Sequence, residues 1–225
     1  MEIIARIQSD FPEKFGIPRQ SCLVPQTRAR ILFEEPYRNP DALRGIEGYS
    51  HLWLLWSFSE AKRERFAPTV RPPRLGGNTR VGVFATRSPY RPNGIGLSSV
   101  TLLDVRLHTP DGPVLTVGGA DLMDGTPILD IKPYLPHVDC HPEATGGFAA
   151  GHAGYALHVV FPEALEAKIP PDKREALRGV LAGDPRPSYQ DDPARVYGVA
   201  FSRYNVRFTV KEGKLTVREV EERVR

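Results

Sequence analysis

Asp121, Asp124 and Asp130 share one short stretch, DLMDGTPILDIKPYLP, with Lys132 and Tyr134 close behind. Carboxylates that meet in one site push one pKa upward, which makes a usable general base. The turn at Asp124-Gly125-Thr126-Pro127 sets their backbone geometry. A second chemical stretch covers residues 66 to 100. It carries Arg71, Arg74, Arg80, Arg87 and Arg91 and no Asp or Glu. Guanidinium groups on a stiff Gly/Pro loop suit an anionic or planar partner. Pro18-Arg19-Gln20 is compact and polar, and Arg19 and Gln20 can hydrogen-bond a ligand; Ser59 and Glu60, at the exit of an apolar run, can face one. His137, Asp139, Cys140 and His141 have metal-binding side chains, but their spacing matches no Cys/His zinc pattern. Each group also has a plain reading: a turn, a solvated loop, a hydrogen-bonded core histidine at His51.

Short strands joined by turns must position these residues. Ile3 to Ile7 and Thr27 to Phe33 have strand content, with a helical turn at residues 41 to 46 capped by Asn39 or Asp41. Leu52 to Trp56 is a continuous apolar run and predicts a strand buried on both faces. Val81 to Phe84 predicts another, ahead of the Arg91-Pro92-Asn93-Gly94 turn. Asp111-Gly112 predicts a hairpin between Val100–Leu107 and Val114–Val117. The pattern argues for an antiparallel barrel or sandwich. Gly94-Ile95-Gly96 lacks the third glycine and precedes a strand, so it does not support a Rossmann site.

The composition shifts after about residue 145. Tyr155 to Phe161 predicts a strand, and Pro162 to Ala182 two short helices, the second capped by Asp172. Tyr204, Val206, Phe208 and Val210 alternate with Arg203, Asn205, Arg207 and Thr209, a half-buried strand that pairs back with Leu215 to Val220. The expectation is a mainly β chain: an antiparallel β-barrel over 1–145 and a small α+β domain over 155–225. The composition break also suggests that residues 1 to about 150 stand alone.

Net charge is only +3, so basicity is local, which favours an anionic partner at one patch. No apolar run is long enough to span a membrane. The start, MEIIARIQSD, lacks signal-peptide character, and Cys22 and Cys140 give no disulfide framework. A cytoplasmic setting is the expectation.

Several motifs recur together and in order: PRQ at 18–20, HLWLLW, RPPRLGG, GVFATRSPYRPNGIGLS, DGTPILDIKPYLP, and a late DPRPSY followed by YNVRF. In these the chain resembles the TrmO (TsaA-like, YaeB-like) family of tRNA (N6-threonylcarbamoyladenosine-37) methyltransferases, over residues 3 to 210. The resemblance implies a β-barrel that binds S-adenosylmethionine and a cytoplasmic homodimer. The substrate it implies is tRNA carrying threonylcarbamoyladenosine at position 37, in the anticodon stem-loop. It implies cofactor contacts at Pro18, Arg19, Gln20, Ser59, Glu60, Arg87, Leu97, Asp124, Gly125 and Thr126. Ser59-Glu60 and the His/Gly/Ala-rich loop at 141–154 depart from what the family leads one to expect.

The chemistry is consistent with that implication. The donor methyl is already activated, so alignment is the main task. The ureido-like N6 of the modified base is a poor nucleophile but a better acid, so a carboxylate base helps. Asp121, Asp124 and Asp130 are the candidates. Arg71, Arg74, Arg91, Lys132, Tyr134, Arg186, Asn205 and Arg207 are the expected RNA contacts. Two alternatives stay open: a non-enzymatic RNA-binding barrel, and a metal-dependent hydrolase using His137, Asp139 and His141.

Overall fold

A computed structural model describes residues 1–60, 66–72, 79–152, 154–186 and 192–223. Arg74, the Gly76-Gly77-Asn78 turn and Ser188-Tyr189 lie outside the described residues. The first part contains β1 (Ala5–Gln8), β2 (Arg28–Phe33), β3 (His51–Ser57), β4 (Thr69–Val70), β5 (Val81–Gly82), β6 (Ile95–Arg106), β7 (Val114–Gly118) and β8 (Pro127–Pro133), then α1 (Pro136–Asp139). Strands β1-β2-β7-β6-β3-β8 close into a barrel, every neighbour antiparallel, while β4 and β5 pair apart from it.

Alternation along the strands fills the interior. Ala5 and Ile7, Ala29, Ile31 and Phe33, Leu52, Leu54 and Trp56, and Leu115 and Val117 point inward and form one buried cluster. β3 was expected to be buried on both faces. Only its Leu52, Leu54 and Trp56 face is, because a closed sheet has one interior. Outward Trp53 is half-covered by the Tyr134 ring, 5.5 Å away, and donates Nε1–H to Asp139 Oδ2 at 2.9 Å. Val83 and Phe84 leave the expected strand for a 3-10 turn, in which Thr86 N–H closes on the Val83 carbonyl. Asn39 caps the early helical turn by accepting from Asp41 N–H.

The second part contains β9 (His158–Val160), α2 (Glu163–Glu166), α3 (Pro171–Ala182), β10 (Tyr197–Phe201), β11 (Tyr204–Lys211) and β12 (Lys214–Glu222). The sheet order is β10-β11-β12-β9, with β9 parallel to β12. Helix α3 lays Ala176, Leu177, Val180 and Leu181 into the core. Its N-cap is Pro170, with Pro171 in the first turn, rather than the expected Asp172; Pro171 gives up no helical hydrogen bond there.

The loop between β1 and β2 is folded into this second core. Phe11 and Val24 are buried in it, with Phe15 and Ile17 packed against it. Asp10 binds Lys173 at 2.6 Å, both largely shielded, and its carbonyl accepts Ser202 N–H at 2.7 Å. Gly16, at φ 95°, lies so close to Val199 that a Cβ would stand 2.2 Å from Val199 Cγ2. That close approach and that φ both require glycine.

Candidate functional site

Strand pairing sets which loops share an end of the barrel. Gln8 and Arg30 pair, Arg28 and Gly118 pair, Ser57 and Ile95 pair, and Arg6 pairs with Pro127. The loops 9–27, 58–94 and 119–126 therefore open at one end. They hold Pro18, Arg19, Gln20, Ser59, Glu60, Arg87, Asp121, Asp124, Gly125 and Thr126, and Leu97 lies at the start of β6 beside them. Residues expected as cofactor contacts, from distant parts of the sequence, thus share one end of the fold.

Asp121 is held in place from inside the barrel. Trp56 Nε1–H donates to Ser98 Oγ at 3.0 Å, and Ser98 Oγ–H donates to Asp121 Oδ1 at 2.5 Å. Ser98 is 1% exposed. Trp56 lies flat against Gly96, where a Cβ would stand 2.2 Å from its ring. Burial pushes the Asp121 carboxyl above its usual range; the Ser98 hydroxyl and the Arg87 charge pull it back only in part. The raised pKa comes from burial, with no neighbouring carboxylate among its causes, so the expected carboxylate pair is not what produces it. Cys22, at φ 63°, lies alongside. Its thiol donates to the Ser99 carbonyl at 3.3 Å; burial, helped by the Asp121 charge, outweighs the opposing effect of the Ser99 side chain and raises its pKa.

A polar line runs from this point into the second unit. Arg87 Nη1 donates to Gln20 Oε1 and Gln20 Nε2 donates to the Arg19 carbonyl, each at 2.5 Å. Arg19 Nη2 reaches the Asp184 carbonyl at 3.4 Å. Asp184 sits at φ 54°, just past α3, and takes both Nε and Nη2 of Arg186 at 2.9 Å and Tyr155 Oη at 3.0 Å. Burial alone would raise the Asp184 carboxyl, but the Arg186 and Tyr155 hydrogen bonds win and hold it below its usual range.

Family models match both parts of the chain: the tRNA-methyltransferase O N-terminal domain over residues 6–140 and the TrmO C-terminal domain over residues 155–223. The chain belongs to the TrmO family. A relative from Escherichia coli (strain K12) named tRNA (adenine(37)-N6)-methyltransferase is 41% identical, across 99% of this chain and 97% of its own. One of the same name from Eikenella corrodens is 46% identical over 76% of this chain and 97% of its own. A crystal structure of TrmO from P. aeruginosa superposes with TM-score 0.78 at 34% identity, covering 98% of this chain and 95% of that one.

The residues at the loop end fit the family's methyl donor by their chemistry. Arg87 presents an exposed cation, Asp121 an anion, and Leu97 an apolar side chain 52% exposed. Ser59 and Glu60 are exposed in the turn after β3. The other two aspartates are engaged elsewhere. Asp124 Oδ1 accepts Ser9 N–H at 2.9 Å, and its own N–H donates to the Phe11 carbonyl, so it ties two loops together. Gly125, at φ 75°, and Thr126, whose hydroxyl donates to the Met123 carbonyl, complete that turn. Asp130 faces outward on β8 and pairs with Lys132 at 2.9 Å.

The expected RNA contacts scatter. Lys132 and Tyr134 lie toward the opposite end, where Tyr134 packs near His51 and Trp53. That is about 20 Å away along a strand rising roughly 3.4 Å per residue. Arg186 is only 10% exposed and committed to Asp184. Arg207 is paired with Glu219 and Glu221, so with Asn205 it lies on a mixed-charge surface rather than a basic one. Arg91 Nη1 donates to the Thr86 and Val83 carbonyls and braces its own loop. Arg71 is exposed, and Arg74 is outside the described residues. In the alternative metal cluster, Asp139 is taken by Trp53 and by Leu135 N–H, and His141 faces Glu143 at 3.6 Å. Ser98 and Trp56 each close one of the recurring motifs but were given no role in the site from sequence, and neither were Cys22 and Tyr155. The inward parity of Ser98 on β6 was the available signal.

Proposed function

We propose that this chain transfers a methyl group from S-adenosylmethionine to N6 of adenosine 37 in tRNA, with the threonylcarbamoyl form of that base as its acceptor. The observation that carries the reading is the half-buried Asp121, held by Ser98, itself held by Trp56, at the barrel end where the three loops meet. It is supported by membership of the family and by relatives named for this activity.

S-adenosylmethionine, when bound, supplies a methyl group already activated on a sulfonium. Arg87, steadied by Gln20, is suited to the donor's carboxylate through a charge-assisted hydrogen bond. Leu97 offers an apolar wall beside it. Asp121 is the base: its raised proton affinity lets it take the N6 proton, and the Ser98 hydroxyl steadies the oxygen it bonds. A threonylcarbamoyl group makes that proton more acidic, and its carboxylate offers an anion to an arginine of the 66–100 stretch. A site built around such a contact rejects an analogue that leaves its cation unpaired.

The reading includes a homodimer in the cytoplasm, on the family resemblance. No helix among the described residues is long and apolar enough to cross a membrane. The test is methyl incorporation into native tRNA and into an unmodified transcript of the same sequence at matched salt. We expect methylation of the native tRNA and little of the transcript. Equal rates on both would remove the threonylcarbamoyl requirement, and no transfer to either would remove the activity.

A further inference from the structure

We propose that Phe84, backed by Phe66, is a stacking platform for an unpaired base of the RNA next to the base being modified. This rests on the reading of the chain as a tRNA methyltransferase. Phe84 is 71% exposed and Phe66 57% exposed, and their rings stack at 6.3 Å with 27° between planes. Two phenylalanines left in water keep apolar faces open that a core would have covered.

Phe84 is rigidly presented. Val83 beside it is 1% exposed and anchors the turn, its N–H donating to the Pro68 carbonyl at 2.9 Å. Thr86 closes the turn with both its N–H and its hydroxyl on the Val83 carbonyl. Arg91 spans the loop from the Thr86 carbonyl and sets its guanidinium 5.7 Å from the centre of the Phe84 ring. A preorganised ring loses little freedom when a base lands on it.

The surroundings select RNA over another apolar partner. Residues 66 to 100 hold five arginines and no acid. Arg71 and Arg80 are exposed near the two rings in sequence, with Arg80 steadied by Thr69. Aromatic faces interleaved with arginines recognise single-stranded nucleic acid, rings taking bases and guanidinium groups taking phosphates. Phe84 is also three residues from Arg87, so its Cα lies within about 11 Å of that residue's Cα. A base stacked there belongs to a nucleotide adjoining the target, which in the anticodon loop is unpaired.

The test compares wild type, Phe84→Ala and Phe84→Trp as full chains. It reads fluorescence anisotropy with a labelled anticodon stem-loop RNA, calorimetry with S-adenosylmethionine, and sedimentation. We expect Phe84→Ala to weaken RNA binding about ten-fold and Phe84→Trp to restore it, as stacking on any large ring would. Donor affinity, oligomeric state and the dependence of RNA binding on salt should stay as in wild type. RNA affinity unchanged in Phe84→Ala would overturn the platform. So would loss of donor binding in parallel, which makes Phe84 a cofactor contact, or a shift in oligomeric state, which makes it a contact between copies. Wild type failing to bind or methylate RNA would instead overturn the methyltransferase reading.

Discussion

At Asp121 the fold keeps a carboxylate where its charge is disfavoured. Its folded pKa is raised by burial, so its favourable contribution is full below the unfolded carboxylate value of about 3.9 and is lost as pH rises through the folded value. Asp121→Asn should therefore be more stable than wild type at pH 7, the gain vanishing in acid, when followed by urea unfolding. The same variant should lose about 10²–10⁴-fold in kcat. Ser98→Ala removes a hydrogen bond that favours the ionised form. The acidic limb of its rate profile should move to higher pH, with about 1 kcal/mol of stability lost. A Ser98→Ala profile that falls in height without moving would mean that Ser98 only packs.

The loop between β1 and β2 belongs to two structures at once. Between Phe11 and Val24, which are buried in the second core, it supplies Gln20 to Arg87. The sequence suggests that residues 1 to about 150 still bind the donor but methylate tRNA poorly. The packing points the other way: without the second unit, Phe11, Phe15, Ile17 and Val24 lose their cover. A chain ended near residue 152 should bind S-adenosylmethionine more weakly than the whole protein in calorimetry, and equal affinity would refute this. The turn after α3 offers a finer cut. Arg186→Ala leaves the buried Asp184 without a counter-charge and should cost about 3–5 kcal/mol in urea unfolding. Because the Asp184 pKa is lowered, its contribution is present above the unfolded value and is lost as pH falls through the folded one. The difference between wild type and variant should accordingly shrink in acid.

Over the whole molecule, positive charge is unevenly available. At β11 the arginines meet the glutamates of β12: Arg203, just before the strand, pairs with Glu222 at 3.2 Å, and Arg207 on it with Glu219 at 3.1 Å. The stretch from 66 to 100 itself holds no acid, and Arg71 and Arg80 are exposed. Arg207→Ala should change tRNA affinity by less than about two-fold. Arg71→Ala and Arg80→Ala should each lower the slope of log K against log salt by about one, the signature of a lost phosphate contact. A large effect at Arg207 with none at Arg71 or Arg80 would move the RNA to the second sheet.

The sequence by itself determined the local pieces, because they depend on neighbours. Strand alternation in β11, the Asp111-Gly112 hairpin and the cap at Asn39 follow from residues a few positions apart. Motif order was enough to name the family. Which candidates share a site was decided only by tertiary structure, since that depends on barrel closure. Closure brings loops 9–27, 58–94 and 119–126 to one end and sends Lys132 and Tyr134 toward the other. It also separated three aspartates that are neighbours in sequence. Asp124 met Ser9, Asp130 met Lys132, and Asp121 alone met the hydroxyl of a buried Ser98. Desolvation is a property of what surrounds a group in space, so nothing in the sequence set Asp121, whose pKa burial raises, apart from Asp124 and Asp130.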